Sequence, residues 1–171
     1  MDIYFDMDYR KNSEKIEKGK LDFHFYEDNN GKGKNIFIKR EIKQNIVEDS
    51  LYDLITPYGY GGPLIEIKQE SNREVFIKTY FEKYEEYCNK NNIVSEFVRF
   101  HPLEKNYEYS KNFYDVTYNS NTIFIDLSSE ELIEINIVSK ARNMIRKAEK
   151  NNLVFEEDKK IETIENFITL Y

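Results

Sequence analysis

The chain has 171 residues, of which 33% are charged and 40% are hydrophobic, and its formal net charge is −7. That length suits one domain, and the acidic balance disfavours general nucleic-acid binding, including DNA, because phosphate groups must then be met by a local basic patch. Cys88 is the single cysteine, which excludes a disulfide framework and a cysteine-based metal site. The acidic N-terminus and the lack of any apolar run near ~20 residues predict a cytoplasmic protein without a transmembrane segment.

The first hundred residues alternate between strand and helix patterns. Period-two alternation of apolar residues predicts β-strands over residues 21–27, 35–42, 51–56 and 93–100. The first two strands are expected to form a hairpin around residues 28–34, which are dense in turn-forming residues. Apolar residues at three- and four-residue spacing, beginning at Val75, predict an amphipathic helix from Asn72 to Asn91.

The second half continues with further strand and helix patterns. Two short strands, Phe113–Tyr118 and Thr122–Leu127, are predicted to pair as a second hairpin. A capping box at residues 128–131 is expected to begin a helix, because Ser128 can accept from a backbone amide while Glu131 reaches back. The strongest helix is predicted from Ser139 to Asn151.

A short strand over residues 153–156 and a final helix over residues 160–171 end the chain. The apolar face of that helix is still continuing at Tyr171, with no glycine, proline or polar tail. We therefore expect either a chain cut before its natural end or a last helix that packs against something else.

A segment rich in glycine and proline, Thr56–Pro63, follows the third predicted strand, and we call it the glycine loop. Its central residues are Tyr58, Gly59, Tyr60, Gly61 and Gly62. Glycine allows a ligand or another backbone to approach closely, and the tyrosines offer flat apolar faces with hydroxyl tips. Loop amides and tyrosine hydroxyls are candidate donors to an oxyanion. The alternative is a tight turn with two surface tyrosines.

Basic residues are concentrated in the helix predicted from Ser139. Arg142, Arg146 and Lys150 recur every four residues, and Lys140 lies nearby. Like charges at this spacing repel, so the stripe favours an anionic ligand opposite it. The alternative is a solvated face that complements the helix dipole. The buried stripe of this helix is predicted to contain Val138, Ala141, Met144, Ile145 and Ala148.

Arg99 and His101 leave the end of the strand predicted over residues 93–100 and are candidates for the same cleft. His101 has the intrinsic pKa of a general base, although a histidine before proline at a strand end is also typical of a structural role. His24 favours a surface or core role, and Asp53 is a possible carboxylate or a solvent-facing residue. The two histidines lack the neighbours of a metal site, so no metal is expected.

Three ordered features of residues 51–155 resemble the N-terminal half of peptidoglycan-bridge aminoacyltransferases of the FemABX family, which belong to the GNAT-type acyltransferases. The strand entering Gly62-Pro63-Leu64 is similar to the family's aromatic–Arg–Gly–Pro strand end, with Gly61 where the arginine is usual. Phe97–Leu103 is similar to its strand ending in Arg-x-x-Pro. Thr122–Ser128 followed by Lys140–Lys150 resembles its Thr-x-x-(Ile/Leu)-x-Leu strand and Lys-x-Arg-x-x-Ile-Arg-Lys-Ala helix. Asn152 replaces the glycine usual after that helix.

The resemblance implies a GNAT-like α/β fold over residues 1–171, with a mixed, mostly antiparallel sheet flanked by helices on both faces. It implies transfer of an acetyl or aminoacyl group to an amine or hydroxyl of a cell-envelope precursor, such as one of peptidoglycan. The donor would be acyl-CoA or aminoacyl-tRNA, bound by a missing C-terminal GNAT-like domain. This chain would be the acceptor-side half, inactive alone, and it contains no Arg/Gln-x-x-Gly-x-Gly/Ala pyrophosphate loop of its own.

On this interpretation the partner is an anionic small molecule or precursor that accepts the acyl group. The residues expected to bind it are Tyr58, Gly59, Tyr60, Gly61, Gly62, Arg99, Lys140, Arg142 and Arg146. His101 is the candidate base. Two alternatives stay open: a binding module with a GNAT-like fold and no chemistry, and an enzyme that acts on sugar hydroxyls of a polysaccharide.

Overall fold

The computed structural model describes residues 2–43, 48–129, 131, 135–154 and 164–170. The chain separates into two compact units, unit 1 (residues 1–120) and unit 2 (residues 121–171). The single domain expected over residues 1–171 stays a prediction. None of the described helices combines the length and apolar character needed to cross a membrane.

Unit 1 is built on a five-stranded sheet. Its strands are β1 (Lys20–Glu27), β2 (Gly31–Ile42), β3 (Leu51–Ile55), β4 (Leu64–Ile67) and β5 (Ile93–Phe97). β2 lies at the centre, because it pairs antiparallel with β1 along one edge and with both β4 and β3 along the other. β3 then pairs in parallel with β5. The predicted mixed, mostly antiparallel sheet is confirmed, and β4 is a strand that the sequence did not predict.

β2 begins earlier than its sequence indicated, because Gly31 and Gly33 belong to the strand and not to the turn. A Cβ on Gly33 would lie 2.3 Å from the ring of Tyr80, so glycine is needed where that ring meets the strand backbone. The turn between β1 and β2 is therefore shorter than predicted and contains residues 28–30. Its Asp28 carboxylate accepts hydrogen bonds from the backbone N–H groups of Asn30 and Gly31.

Helices cover both faces of this sheet. α3 (Arg73–Lys90) packs on the face that carries Phe37 and Leu54. A 3₁₀ turn (Ile3–Phe5), α1 (Met7–Lys11) and α2 (Ser13–Glu17) precede the sheet. They lie on the face of Ile36 and Ile38, where Arg10 of α1 donates to the Ile36 carbonyl and α2 contacts β2. Successive residues of β2 point to opposite faces, so burial of Ile36, Phe37 and Ile38 together shows that both are covered.

The core of unit 1 is aromatic. A second 3₁₀ turn (Glu70–Asn72) leads into α3, whose buried side chains are Phe76, Ile77, Tyr80, Phe81 and Tyr84. Val75, which the sequence placed on the apolar stripe, is 62% exposed. The predicted helix is otherwise confirmed, with its ends within one residue of the predicted bounds.

After β5 the chain forms the short helix α4 (Tyr107–Ser110), and residues 113–129 then contain no strand. The predicted hairpin of Phe113–Tyr118 with Thr122–Leu127 is therefore wrong. Both stretches have the composition of strands, but a strand needs a partner for its backbone groups. Ile123 is 92% exposed and Leu127 is 74% exposed.

Unit 2 contains the helices α5 (Ser139–Lys150) and α6 (Ile164–Leu170), which confirms the described parts of both predicted helices. The predicted buried stripe of α5 is wrong for its large residues, because Val138, Met144 and Ile145 are all exposed. The two alanines of that stripe, Ala141 and Ala148, are half-buried.

Two other predictions in this unit fall largely outside the described residues. They are the helix that follows the capping box, where residues 130 and 132–134 are not described, and the strand over residues 153–156. Of that strand only Leu153 and Val154 are described, and neither lies in a strand.

Candidate functional site

The glycine loop closes the carboxyl ends of the parallel pair β3 and β5. The Thr56 N–H donates to the Phe97 carbonyl oxygen at 3.0 Å, and the Gly61 N–H donates to the Arg99 carbonyl oxygen at 2.8 Å. Gly61 and Phe100 form a further parallel bridge. Open α/β sheets bind ligands in the crevice outside the carboxyl ends of their strands. The glycine loop lies at the corresponding end of the parallel pair β3 and β5, within a sheet that is otherwise antiparallel in the described strands.

The backbone requires glycine at two positions of this loop. Gly59 has a φ of 100° and Gly62 a φ of 86°, values that other residues rarely adopt. A Cβ on Gly59 would lie 2.2 Å from the ring of Tyr4, and one on Gly62 would lie 3.0 Å from the ring of Phe100. Much of the loop is thus packed under neighbouring rings. The N–H of Gly61, a candidate oxyanion donor, is already used within the fold.

Arg10 is a buried cation beneath the glycine loop, with 1% of its surface exposed. Its Nε donates to the Tyr4 carbonyl, its Nη1 to the Ile36 carbonyl at 2.8 Å and its Nη2 to the Tyr60 carbonyl at 3.5 Å. The guanidinium also lies 4.9 Å from the centroid of the Phe5 ring. Burial lowers the pKa of Arg10 to about 10. One side chain thereby ties the N-terminal segment, β2 and the loop together.

Asn106 is buried and supports the loop from a second direction. Its Nδ2 donates to the carbonyls of Gly61 at 2.7 Å and Pro63 at 3.1 Å, while its Oδ1 accepts from the His101 N–H at 3.0 Å. The Tyr109 hydroxyl adds a hydrogen bond of 2.8 Å to the Pro63 carbonyl. Buried carbonyls of an irregular loop need such partners, and Asn106 supplies them for two residues at once.

His101 lies in the fold with both ring nitrogens engaged, and it is 2% exposed. Nδ1 accepts from the backbone N–H groups of Leu103 at 3.2 Å and Glu104 at 3.1 Å. Nε2 lies 3.2 Å from Oδ2 of Asp2, so the hydrogen-bond network assigns the ring proton to Nε2. This arrangement favours the structural role that the sequence left open. The assignment of His101 as a base stays a prediction.

Three of the predicted binding residues reach the surface of unit 1. Tyr58 is 60% exposed, and Tyr60 is half-buried with its ring edge-on to the His101 ring at 5.6 Å. The Arg99 side chain is 39% exposed and its Nη1 lies 3.9 Å from Oε1 of Glu17. The rings of Tyr60 and His101 thus pack against each other, Arg99 makes its ion pair with α2, and a shared binding role of the three residues stays a prediction.

The other titratable candidates of the sequence lie within the sheet of unit 1, Asp53 in an ion pair and His24 among aromatic rings. Asp53 accepts two hydrogen bonds from Arg40, from Nε at 2.9 Å and from Nη2 at 2.6 Å, directly across β2 and β3. His24 is 8% exposed, and burial lowers its pKa to about 4. Its ring lies between 5.1 and 5.4 Å from the ring centroids of Tyr80, Tyr84 and Tyr87.

A carboxylate network that the sequence did not reveal lies between β5 and α3. Glu96 accepts from the hydroxyls of Tyr84 at 2.9 Å and Tyr114 at 2.6 Å, and from Nδ2 of Asn35 at 2.9 Å. Desolvation raises the pKa of Glu96 above its usual value, although the three hydrogen bonds act in the opposite direction. The signal in the sequence was a glutamate within an apolar strand, beside a helix rich in tyrosine.

The basic candidates belong to unit 2. Lys140, Arg142 and Arg146 are exposed on α5, and within the described part of the chain none of them forms an ion pair. Across the described part of the chain, no group of three or more His, Cys, Asp and Glu side chains is arranged to hold a metal ion.

Comparison with known proteins found no match for this chain among protein-family models, curated proteins or solved structures. The resemblance to FemABX enzymes therefore stays a prediction, and the functional argument rests on the residues and their geometry.

Proposed function

We propose that this chain binds the acceptor of an acyl transfer, an anionic molecule with a reactive amine or hydroxyl, at the surface of Tyr58, Tyr60 and Arg99. The observation that carries the proposal is the place of the glycine loop at the carboxyl ends of β3 and β5. Arg99 is partly exposed and its ion pair with Glu17 is long. A phosphate or carboxylate offers the guanidinium a better-matched, bidentate partner.

The proposed reaction is a transfer of an acetyl or aminoacyl group to a cell-envelope precursor in the cytoplasm. The lone pair of the acceptor nitrogen or oxygen attacks the carbonyl carbon of acyl-CoA or aminoacyl-tRNA. The bond from the carbonyl carbon to the thioester sulfur or ribose oxygen breaks, and the proton of the attacking atom passes through a base or water to the leaving thiolate or alkoxide. Tyr58 and Tyr60 orient the acceptor through their ring faces and hydroxyls. Binding of the donor is assigned to a second GNAT-like domain.

α5 supplies a second group of cations for the same class of ligand. Lys140, Arg142 and Arg146 are exposed in a chain of net charge −7, and repulsion along the helix is relieved when an anion binds. We therefore propose these three residues as a separate anion-binding set, which belongs to unit 2 alone.

A binding module without chemistry is the second candidate, and one observation favours it. His101 uses both ring nitrogens within the fold, and the Gly61 amide donates to Arg99. Neither group is available to a reacting ligand in this arrangement. The two candidates share a binding surface and differ in whether a product forms.

Glucosamine 6-phosphate, which combines an amine with a phosphate, tests both candidates. We expect the chain to bind it by calorimetric titration, and Arg99→Ala to weaken binding at least about tenfold, because a hydrogen bond to a charged group contributes ~1.5–3 kcal/mol. Arg73→Ala is the matched control, because Arg73 is an exposed arginine of unit 1 on α3. Arg142→Ala with Arg146→Ala tests the second set of cations.

Mass spectrometry of the same mixtures with acetyl-CoA or aminoacyl-tRNA separates enzyme from module. An acylated sugar that depends on Arg99 supports the transferase, and Arg99-dependent binding without product supports the module. Equal binding by the parent, Arg99→Ala and Arg73→Ala would refute both. Far-UV circular dichroism of each variant shows whether the fold is retained.

A further inference from the structure

The N-terminal segment of unit 1 places a carboxylate on each of two donor side chains beside the glycine loop. Oδ2 of Asp2 lies 3.2 Å from Nε2 of His101, and Oε1 of Glu17 lies 3.9 Å from Nη1 of Arg99. A phosphate or carboxylate ligand needs donors of the same kind. Two acids of this chain therefore already occupy groups that an anionic ligand would use.

The two carboxylates differ in how firmly they are held. The Glu17 side chain is mostly buried, and the helices that lead to it are anchored: Arg10 donates to three buried carbonyls, and the Ser13 hydroxyl accepts from a backbone N–H of the glycine loop at 3.1 Å. The Asp2 side chain is 30% exposed, and Ile3 beside it is exposed. Asp2 can therefore turn away while α1 and α2 stay in place.

The Tyr4 ring covers the glycine loop beside Asp2. It lies edge-on to the Tyr60 ring, with 5.3 Å between the centroids, and a Cβ on Gly59 would lie 2.2 Å from it. We call Asp2, Ile3 and the side chain of Tyr4 the cover. When the cover turns away, one side of the Tyr60 ring and the backbone at Gly59 become accessible to a ligand.

His101 remains a hydrogen-bond donor when the cover has left. Its Nδ1 accepts from the backbone N–H groups of Leu103 and Glu104, and neither of these contacts involves the cover. The ring proton therefore stays on Nε2. An oxygen of a phosphate or carboxylate can then take the place that Oδ2 of Asp2 holds in the covered arrangement.

We propose that the cover regulates the proposed binding surface as an internal competitor, in which the Asp2 carboxylate holds the Nε2–H group of His101 until an anionic acceptor displaces it. This inference rests on the proposed function, because it concerns the same surface. A ligand that binds only the open arrangement loses affinity in proportion to the fraction of open molecules. A partly exposed contact to a carboxylate corresponds to a loss of about three- to tenfold.

Asp2→Ser tests the competition and retains the cap of the first turn. Oδ1 of Asp2 accepts from the Tyr4 N–H at 2.9 Å, a role that serine also fills, whereas the serine side chain is too short to reach His101. Asp6→Ser is the matched control, because Asp6 caps α1 by accepting from the Tyr9 N–H at 2.9 Å and carries the same charge in the same segment. In calorimetric titrations with glucosamine 6-phosphate, we expect Asp2→Ser to bind about three- to tenfold more tightly than the parent, and Asp6→Ser to bind as the parent does.

NMR spectroscopy follows the cover itself. Saturation of the parent with glucosamine 6-phosphate should move the signals of the His101 ring and the Tyr4 amide towards those of Asp2→Ser. A purely structural role of Asp2 predicts weaker binding by Asp2→Ser, and urea unfolding of each variant shows whether the fold is retained.

The outcomes separate this inference from the proposed function. Equal binding by the parent and Asp2→Ser, weakened in both by Arg99→Ala, would overturn the cover and leave the proposed function intact. Tighter binding by Asp2→Ser that persists when Arg99→Ala is added would support the cover and refute the role of Arg99. Equal gains from Asp2→Ser and Asp6→Ser would assign the effect to net charge and overturn the cover. Absence of binding by the parent and every variant would overturn both.

Discussion

The buried imidazole of His24 makes the stability of unit 1 depend on pH. Burial lowers its pKa from 6.5 to about 4, and within the described structure Nδ1 has no hydrogen-bond partner. Between these two pKa values the unfolded chain binds a proton that the folded chain excludes. The contribution of His24 to the free energy of unfolding is therefore complete above pH 6.5 and decreases as the pH falls towards 4.

Replacing the imidazole by a phenyl ring, His24→Phe, removes this titration. The difference between the folded and unfolded pKa values corresponds to at most roughly 3.4 kcal/mol, of which roughly 2.4 kcal/mol is lost between about pH 7 and pH 4.5. Removing a buried nitrogen without a partner adds about 1 kcal/mol of stability at every pH. The variant should thus exceed the parent by about 1 kcal/mol near neutrality and by roughly 3.4 kcal/mol near pH 4.5.

Urea unfolding followed by circular dichroism at a series of pH values measures this difference. Carboxylates titrate in both proteins, so subtracting the two free energies of unfolding isolates His24. An NMR titration of the parent provides a control. The chain has two histidines, so the imidazole signal that is missing from the variant belongs to His24. That imidazole should stay neutral down to about pH 5 in the parent. Two stability curves that run parallel from neutral to acidic pH would show that His24 is not buried as described.

Three further experiments test the packing around the sheet and the glycine loop. Gly59→Ala should destabilise unit 1 by roughly 1–3 kcal/mol because alanine is strained at the φ of residue 59. The new methyl group also displaces the Tyr4 ring, which adds to the loss. Adding Tyr4→Ala should therefore restore part of the midpoint temperature of thermal unfolding. Asn106→Ala should cost roughly 3 kcal/mol in urea, because it leaves buried groups of the loop without partners; a cost below about 1 kcal/mol would contradict this. A double-mutant cycle on Arg40 and Asp53, both partly exposed, should give at most about 1 kcal/mol and should shrink in high salt.

Local patterns accounted for four of the five strands of unit 1 and for its longest helix, but not for α1, α2, α4 or β4. β1, β3, α3 and β5 lie close to their predicted bounds, because each carries a complete apolar period over its own length. The sequence predicts Gly31 and Gly33 to be turn residues, because a glycine has the same local propensity whether it turns the chain or allows an aromatic ring to approach. Only the position of Tyr80 over the strand distinguishes the two cases.

In the candidate site, too, local sequence predicted some residues, and tertiary contacts alone revealed others. The exposed Tyr58 and the partly exposed Arg99 lie on the loop and segment that their sequence indicated. Arg10 and Asn106, which hold that loop, lie far from it in sequence, and nothing in their local neighbourhood distinguishes them from surface residues. Their importance arises from burial and from the carbonyls that they meet.

The amino-acid sequence by itself determined β1, β3, β5 and α3 of unit 1, the presence of a stiff glycine loop after β3, and the basic face of α5. These features depend on propensity and periodicity, which act over a few residues. Tertiary structure decided which groups are buried and which have partners. His101 is a hydrogen-bonded part of the core, and the Glu96 carboxylate accepts hydrogen bonds from two tyrosine hydroxyls. Thr122–Leu127 forms no strand. Such outcomes depend on contacts between residues distant in the chain, and local pattern carries no information about them.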